Sequence, residues 1–487
     1  LARWSCHSPE NLLYCSPMKP REYELDSPIA AIATALVPAA LGIVRVSGTN
    51  SIEILSTIFS RAATLRAARG NTLHHGWITA RDGSRIDEVM IAVYREPASF
   101  TGEESAEIIT HGGPAVVLAV YRRILEAGFR AAERGEFTLR AFTNGKTDLA
   151  RAEAVKEIID SRTDLARGHA AERLAGNLSR EIETIRTMII QSLAALGVEV
   201  EYPEDEDTVK GAFDAESVQR SRERIKRLES AWAAEKLLRD GITIVLAGQT
   251  NAGKSSLFNT LLKENRAIVS DIHGTTRDWL EADADFLGIP VRLYDTAGIR
   301  ETTDTIEAQG VTRTKDLVSH ADIVLYVIDS TTGLTPNDRI FLEQEHKAPV
   351  CILWNKADHP DTLPVPDTLT SGTIEKPLIP VSAHTGEGVT HIMETTRNLV
   401  FTTTEKESSE GIGELRGPAP GSERQKQALS AARTFLEHAC EAEQAGFPLD
   451  AVAQDLEDAL GALGEITGET TAEDVLDVVF STFCVGK

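Results

Sequence analysis

Gly248-Gln249-Thr250-Asn251-Ala252-Gly253-Lys254-Ser255 is the stretch whose reading decides the fold. It fits GxxxxGK[ST]. An apolar run, Ile242 to Ala247, precedes it and predicts a strand, and Ser256 to Leu262 predicts a helix after it. That strand–loop–helix context is what a phosphate-binding loop requires. Backbone N–H groups at a helix N-terminus form an anion nest. The Lys254 ammonium reaches terminal phosphates, and the Ser255 hydroxyl is a Mg²⁺ ligand.

Four further motifs follow at ordered spacings, so residues 241 to 385 read as a guanine-nucleotide switch. Gly274-Thr275-Thr276-Arg277-Asp278 offers a threonine as second Mg²⁺ ligand. Asp295-Thr296-Ala297-Gly298 ends a predicted strand, Val291 to Tyr294. Its Asp is expected to hold Mg²⁺ through water and its Gly N–H to sense the γ-phosphate. Asn355-Lys356-Ala357-Asp358 follows a strand, Val350 to Trp354. The Asp358 carboxylate can accept from guanine N1–H and the 2-amino group, donors that adenine lacks, so adenine leaves it unpaired. Ser382-Ala383 follows the strand Leu378 to Val381 and is placed to offer a backbone N–H to guanine O6. GTP hydrolysis would release the loop contacts, which is the physical basis of a switch.

A Ras-like switch places a water-orienting Gln after Asp-x-x-Gly. Here that position is Ile299, whose apolar side chain cannot orient water. Glu307, twelve residues beyond Asp295, is a candidate. From position alone it reads as one of 74 acidic residues on a solvated surface.

The 487 residues suggest about three domains, and 42% hydrophobic residues suffice for real cores. No apolar run reaches the ~18 residues of a membrane span. Leu1 to Glu24 lacks a signal-like apolar segment and mixes Arg3, Lys19 and Arg21 with Glu10, Glu22 and Glu24, which predicts an extension before the first strand. Cys6, Cys15, Cys351, Cys440 and Cys484 have neither zinc-ligand nor redox spacing, as expected of a reducing cytoplasm. The formal charge of −24 gives no global attraction for nucleic acid, so RNA would need a local patch. Arg220 to Arg227 is one basic stretch, which on a helix can equally be a solvated face.

Residues 28 to 138 read as a small α+β domain. Strands are expected at Ile29 to Thr34, Gly42 to Val46, Glu88 to Tyr94 and Ser105 to Thr110, and helices at Ser51 to Ile58 and Ala115 to Glu126. Leu149 to Gly241 is helical in pattern, broken at Tyr202-Pro203 in an acid-rich stretch. Thr402 to Gly421 is a polar linker, and the chain is helical again from Glu423. The expected fold class is α/β plus α. A P-loop GTPase domain with a mostly parallel sheet is inserted into an all-helical domain, behind a small α+β domain. The expected segments are 1–25 (extension), 26–145 (α+β), 146–240 (helical, first part), 241–400 (GTPase), 401–421 (linker) and 422–487 (helical, second part).

From about residue 26 onward the chain resembles the tRNA-modification GTPase family called MnmE or TrmE. The residues that carry the resemblance are Ala30-Ala31-Ile32-Ala33-Thr34, Gly42-Ile43-Val44-Arg45-Val46-Ser47-Gly48, Ser99-Phe100-Thr101-Gly102-Glu103-Glu104 and His111-Gly112-Gly113. Gly135 to Phe142 (Gly-Glu-Phe-Thr-Leu-Arg-Ala-Phe), Asn144-Gly145-Lys146 and the terminal Phe483-Cys484-Val485-Gly486-Lys487 add to it.

The resemblance implies a function: with a flavin- and NADH-dependent, MnmG-like partner in a heterotetramer, adding an aminomethyl-type group to carbon 5 of the wobble uridine (position 34) of certain tRNAs. The one-carbon unit would come from 5-formyl- or 5,10-methylene-tetrahydrofolate in the N-terminal domain, contacted by Arg45, Glu103, Lys146 and Lys487. Lys and Arg suit the folate carboxylates, and a Glu suits the pterin N–H groups. Taken alone, Arg45 and Glu103 read as surface ion-pair partners.

The resemblance also implies a cytoplasmic homodimer without membrane attachment. Hydrolysis would depend on K⁺, held by Asn251 and by loop carbonyls near Ser270, Ile272 and Thr275, where an arginine finger would otherwise act. Glu307 falls at the catalytic glutamate, beside Lys254, and Cys484 is a further candidate. The implied GTP-binding set is Asn251, Ala252, Gly253, Lys254, Ser255, Ser256, Ser270, Asp271, Ile272, His273, Gly274, Thr275, Thr276, Asp295, Thr296, Ala297, Gly298, Asn355, Lys356, Ala357, Asp358, Ser382 and Ala383. Ser255 and Thr276 would bind Mg²⁺.

The chain departs from the family pattern at Leu36-Val37-Pro38-Ala39-Ala40-Leu41, bulkier than the usual Gly-rich stretch and expected to narrow the folate pocket, and at Thr110 and Gln249-Thr250. A different class of reading is a regulatory or ribosome-assembly GTPase that binds RNA without transforming it. Such proteins carry an RNA module beside the GTPase, and the sequence has no KH-type GXXG loop. Phe480, Phe483 and Val485 predict a docked tail. For Cys484 and Lys487 to reach Arg45, either the chain folds back on itself or a second subunit supplies the tail.

Overall fold

Period-two alternation in the early part of the chain builds a six-stranded sheet. The computed structural model describes residues 24–201, 213–264, 280–296, 317–364, 376–404 and 417–487. They divide into two units, Leu1–Glu153 with Thr467–Lys487, and Ala154–Ile466. In the first unit β1 (Ile29–Ile32), β2 (Leu41–Ser47), α1 (Ser51–Ser56), α2 (Ala62–Arg66), β3 (Thr72–Thr79), β4 (Arg85–Tyr94), β5 (Ser105–His111), α3 (Pro114–Ala127), β6 (Arg130–Ala131) and α4 (Glu136–Thr143) follow in order. The sheet order is β3-β4-β5-β2-β1-β6, antiparallel except for the β1–β6 pair.

Alternate residues of β2, Val44 and Val46, turn inward with Ile91, Val93, Ile108 and the α3 face Val117, Val120 and Ile124. Helix α3 begins with Pro114, where a missing N–H costs nothing, and stops at Gly128. Register sets Arg45 on β2 directly opposite Glu107 on β5. All four expected strands are present. Strands β3 and β6 and helix α2 are additional. In β3 two histidines and a glycine blur the apolar alternation.

The second unit joins a helical bundle to an α/β sheet. Helices α5 (Leu149–Asp160), α6 (Asp164–Leu174), α7 (Asn177–Glu201) and α8 (Ala215–Asp240) precede the sheet. Then come β7 (Ile242–Gly248), α9 (Lys254–Glu264), β8 (Leu280–Phe286), β9 (Ile289–Asp295), β10 (Ile323–Asp329), α10 (Pro336–Glu343), β11 (Val350–Asn355), β12 (Leu378–Pro380) and α11 (Val389–Thr404). The sheet order is β12-β11-β10-β7-β9-β8, parallel apart from the β8–β9 hairpin. Its central strands are apolar on both faces, as a covered parallel sheet requires.

Helices α12 (Glu423–Gln444) and α13 (Leu449–Thr467) return to the bundle, and α14 (Glu473–Ser481) rejoins the first unit. Helices from before and after the sheet pack together: Arg433 on α12 reaches Glu229 on α8 at 2.7 Å, and Arg222 on α8 reaches Glu437 on α12 at 3.3 Å. The sheet domain is therefore inserted into a helical one.

The basic stretch at Arg220 to Arg227 largely dissolves in this bundle. Arg222 pairs with Glu437 and Arg224 with Glu181. Arg220, Lys226 and Arg227 remain exposed on α8.

Candidate functional site

The loop after β7 has the strained backbone that phosphate cradling needs. Gly248 sits at φ 136, where a Cβ would lie 2.2 Å from the Val327 carbonyl oxygen. Gly253, at φ 94, leaves room for the Asn355 amide, which a Cβ would meet at 2.2 Å. Only glycine combines that φ with that closeness. Asn251 is exposed and left-handed at φ 64. Lys254 opens α9, is 6% exposed, and donates to the loop carbonyls of Gly248 at 2.9 Å and Gln249 at 2.7 Å. Burial lowers its ammonium pKa, partly opposed by the nearby Asp295 carboxylate.

Ser255 Oγ donates to Asp295 Oδ2 at 2.6 Å, and Asp295 is fully buried. A hydroxyl and a carboxylate this close are a hard-oxygen donor pair that fits Mg²⁺. Thr296 is tied back to the Leu246 carbonyl at 2.8 Å, which fixes the end of β9 against β7.

Asn355 is a strut. Its Nδ2 donates to the Ala252 carbonyl at 2.8 Å while its Oδ1 accepts from Ala383 N at 3.1 Å. One side chain, 1% exposed, thus spaces the phosphate loop from the Ser382-Ala383 loop. Lys356, left-handed at φ 65, pairs with Asp329. Asp358 is exposed, and a hydrogen bond from the Ser382 side chain lowers its carboxyl pKa. Ser256 is exposed on the first turn of α9, and Ala357 N is held by the Val381 carbonyl. Ser270, Asp271, Ile272, His273, Gly274, Thr275, Thr276, Ala297, Gly298, Ile299 and Glu307 lie outside the described residues.

The first unit holds a cavity of about 200 Å³ lined by Arg45, Tyr94, Phe100, Thr101, Ser105, Ala106, Glu107 and Phe137. That is below the roughly 300–1,000 Å³ of whole-ligand pockets, so it suits one ring system with the rest of a ligand outside. The Arg45 guanidinium lies 5.7 Å from the Phe100 ring centre and 5.8 Å from that of Phe137. Its Nε and Nη2 both donate to Glu107 Oε1, at 3.0 and 2.7 Å, and its Nη1 donates to the Gly486 carbonyl at 3.0 Å. Tyr94 is raised by burial and by the Glu107 charge.

The chain's own tail therefore reaches this cavity, without a second subunit. Phe480 and Phe483 are buried with Leu139, Leu149 and Ala152, and Val485 bridges Arg134 in antiparallel fashion. Lys487 is partly buried, and desolvation and the Arg45 charge lower its pKa. Cys484 is exposed. Lys146 is exposed and donates to the Pro97 carbonyl at 2.9 Å. Leu36, Val37 and Leu41 are exposed and are not among the residues that line this cavity.

Sequence reasoning missed Glu107 and Arg140. A carboxylate inside the apolar run of β5 was the available signal for the first. A larger depression, about 410 Å³, runs along α12 between Lys426 and Phe435, with Lys426 as its one ionisable lining residue.

Comparison with known proteins gives the family. The model described as MnmE helical domain matches residues 149–484, and that described as GTP-binding protein TrmE N-terminus matches residues 28–146. The chain is 51% identical over 475 residues to the tRNA modification GTPase MnmE of Treponema denticola, covering 96% of this chain and 99% of that protein. It is 45% identical over 501 residues to that of Treponema pallidum (strain Nichols), covering 96% and 100%. For Carboxydothermus hydrogenoformans the figures are 40% over 467 residues, 95% and 100%. The chain belongs to the MnmE, or TrmE, family of tRNA-modification GTPases.

Proposed function

We propose that this GTPase is potassium-dependent and works with a flavin- and NADH-dependent partner to add an aminomethyl-type group at carbon 5 of the wobble uridine of certain tRNAs, with a reduced folate as one-carbon donor. The observation that carries the folate half is the meeting of Arg45 with the Gly486 carbonyl at a cavity walled by aromatic rings. Flat rings stack on Phe100 and Phe137, and Glu107 and Glu103 offer acceptors to ring N–H groups. Lys487 and Lys146 suit the folate's carboxylates. When bound, the folate supplies the one-carbon unit.

In the GTPase half, loop N–H groups from Asn251 to Ser256 and the Lys254 ammonium would hold the phosphates. Ser255, Asp295 and Thr276 would hold Mg²⁺. Asn251, with the carbonyls of Ser270, Ile272 and Thr275, would hold K⁺. The two cations supply charge for the transition state. Asp271, His273 and Gly274 would complete the first switch loop, and Thr296, Ala297 and Gly298 the second. Glu307 would orient water. Asp358 would accept from guanine's N–H groups, with Ala383 N near O6 and Asn355, Lys356, Ala357 and Ser382 framing the base. We assign residues 26–145 to folate binding and dimerisation, 241–400 to the GTPase, and 146–240 with 422–487 to the helical domain.

Mass spectrometry of tRNA wobble uridines tests the reading. Cells without the chain should lose the carbon-5 modification, and the chain lacking Cys484 to Lys487 should not restore it. Full restoration by the truncated chain would show that the tail is dispensable to the chemistry. GTP hydrolysis should be faster in K⁺ than in Na⁺ by roughly the 10³-fold or more that a charge at the arginine-finger position supplies. Equal rates would remove potassium from the proposal.

A further inference from the structure

The carboxylate assigned to the folate ring, Glu103, does not stand alone. Its side chain is 22% exposed, and the guanidinium that faces it, Arg140, is 1% exposed. Arg140 Nη1 lies 3.2 Å from both Glu103 oxygens. Ser47 Oγ donates to Oε2 at 2.8 Å and sits 2.6 Å from the hydroxyl of Thr101, which lines the cavity. Behind this layer, Arg140 Nη2 donates to Glu136 Oε1 at 2.9 Å and to the Ser27 and Glu24 carbonyls at 2.8 and 3.3 Å. Glu136, fully buried, also takes Arg130 and the Glu133 N–H. Its carboxyl is raised by burial but lowered more by these donors, and stays below its ordinary value.

Two consequences follow from this geometry. A carboxylate offers about four lone-pair sites. Arg140 and Ser47 both occupy Oε2, and Arg140 alone touches Oε1, so acceptor capacity is left on Oε1. The clamp of Arg140 on Glu136 prevents it from following a moving Glu103. Buried ion clusters are seldom worth more to stability than apolar residues of the same volume. This one ends on a half-solvated carboxylate beside a cavity, which a purely structural cluster does not require.

We propose that Arg140 is a positioning residue: it fixes the orientation of the Glu103 carboxylate so that one oxygen is presented to the ring N–H groups of the ligand. The proposal rests on the reduced-folate reading above.

The test is equilibrium binding of 5-formyltetrahydrofolate to the full-length protein and to Arg140→Lys, Glu103→Gln and the double variant, with the thermal transition recorded for each. Arg140→Lys keeps the charge and loses the second arm of the fork. It should weaken binding roughly ten- to a hundredfold, as loss of an orienting partner does at metal-bound ligands. The double variant should bind no more weakly than Glu103→Gln alone, because Arg140 acts through Glu103. Multiplicative losses in the double variant, or unchanged binding in Arg140→Lys beside a weakened Glu103→Gln, would overturn the positioning role and leave the folate reading standing. Wild-type binding by Glu103→Gln would overturn both. If Arg140→Lys shifts the thermal transition, Glu136→Gln, which loosens the clamp and leaves Arg140 with Glu103 as its carboxylate partner, should give a smaller loss of binding with the same non-additivity. Full binding by Glu136→Gln would then count against the proposal.

Discussion

Two clusters of two acids and two bases lie in the two units of this molecule, and they serve different ends. In the first unit Glu103, Glu136, Arg130 and Arg140 form a chain that begins behind a cavity wall, where Ser47 links Glu103 to the lining residue Thr101. In the second, Glu157 on α5, His169 and Arg173 on α6, and Glu235 on α8 form a closed knot. Glu235 is 3% exposed, with one oxygen on His169 and the other on Arg173. Arg173 spends Nε on Glu157 and Nη1 on Glu235, each at 2.7 Å. The knot lines neither of the cavities described above. It staples three helices that an apolar pattern alone would allow to slide, whereas the open chain keeps one carboxylate available. Similar charge content thus yields a strut across three helices in one unit and a held carboxylate in the other.

The sharpest break of this comparison is Arg173→Ala. It leaves Glu235 buried and Glu157 partly buried without their shared cation, and removing one member of a buried pair costs about 3–5 kcal/mol. Urea unfolding of the full-length protein, followed in the transition of the second unit, should move to much lower urea. If it moved by less than the ~1 kcal/mol of an exposed pair, the knot would be no strut.

The nucleotide loop was legible because its chemistry is written in consecutive residues. Glycines at Gly248 and Gly253, Lys254 and Ser255 carry their geometry with them, and the strand before them is apolar but for Thr243. The resemblance added Arg45, Glu103 and the tail. Local pattern could not say that the tail returns to Arg45 within one chain, because 441 positions separate Arg45 from Gly486 and only tertiary packing of Phe480 and Phe483 closes that distance. Glu107 and Arg140 escaped for a related reason. Each is a charged residue in an otherwise ordinary strand or helix, and its meaning comes from the partner opposite. Strands β8 and β10 are a milder case, since Asp283 and Asp285 interrupt the first and the second is apolar up to Asp329 and follows no motif.

The smaller effect, and the one that sharpens the comparison, is pH. The hydrogen bond to Glu235 raises the His169 pKa above its ordinary value, outweighing burial, with the Glu235 charge adding, Arg173 subtracting and Glu172 adding slightly. Burial would raise Glu235, but His169 and Arg173 outweigh it and hold the carboxyl below its ordinary value. For a raised histidine the stabilisation is complete below the unfolded pKa near ~6.5 and is lost as pH climbs through the folded value. For a lowered carboxyl it is complete above ~4.3 and is lost as pH falls through the folded value. Both contributions are therefore whole between about pH 4.3 and 6.5, and the alkaline loss belongs to His169. His169→Gln keeps a donor for Glu235 and removes the titration. His111 also has a raised pKa, from its bond to Asp87, but it lies in the first unit and is common to both proteins. The difference in melting temperature between wild type and His169→Gln should therefore favour wild type near pH 6 and shrink toward pH 9. A difference that stayed constant over that range would mean that His169 is neutral throughout, and that the knot is held by Arg173 alone.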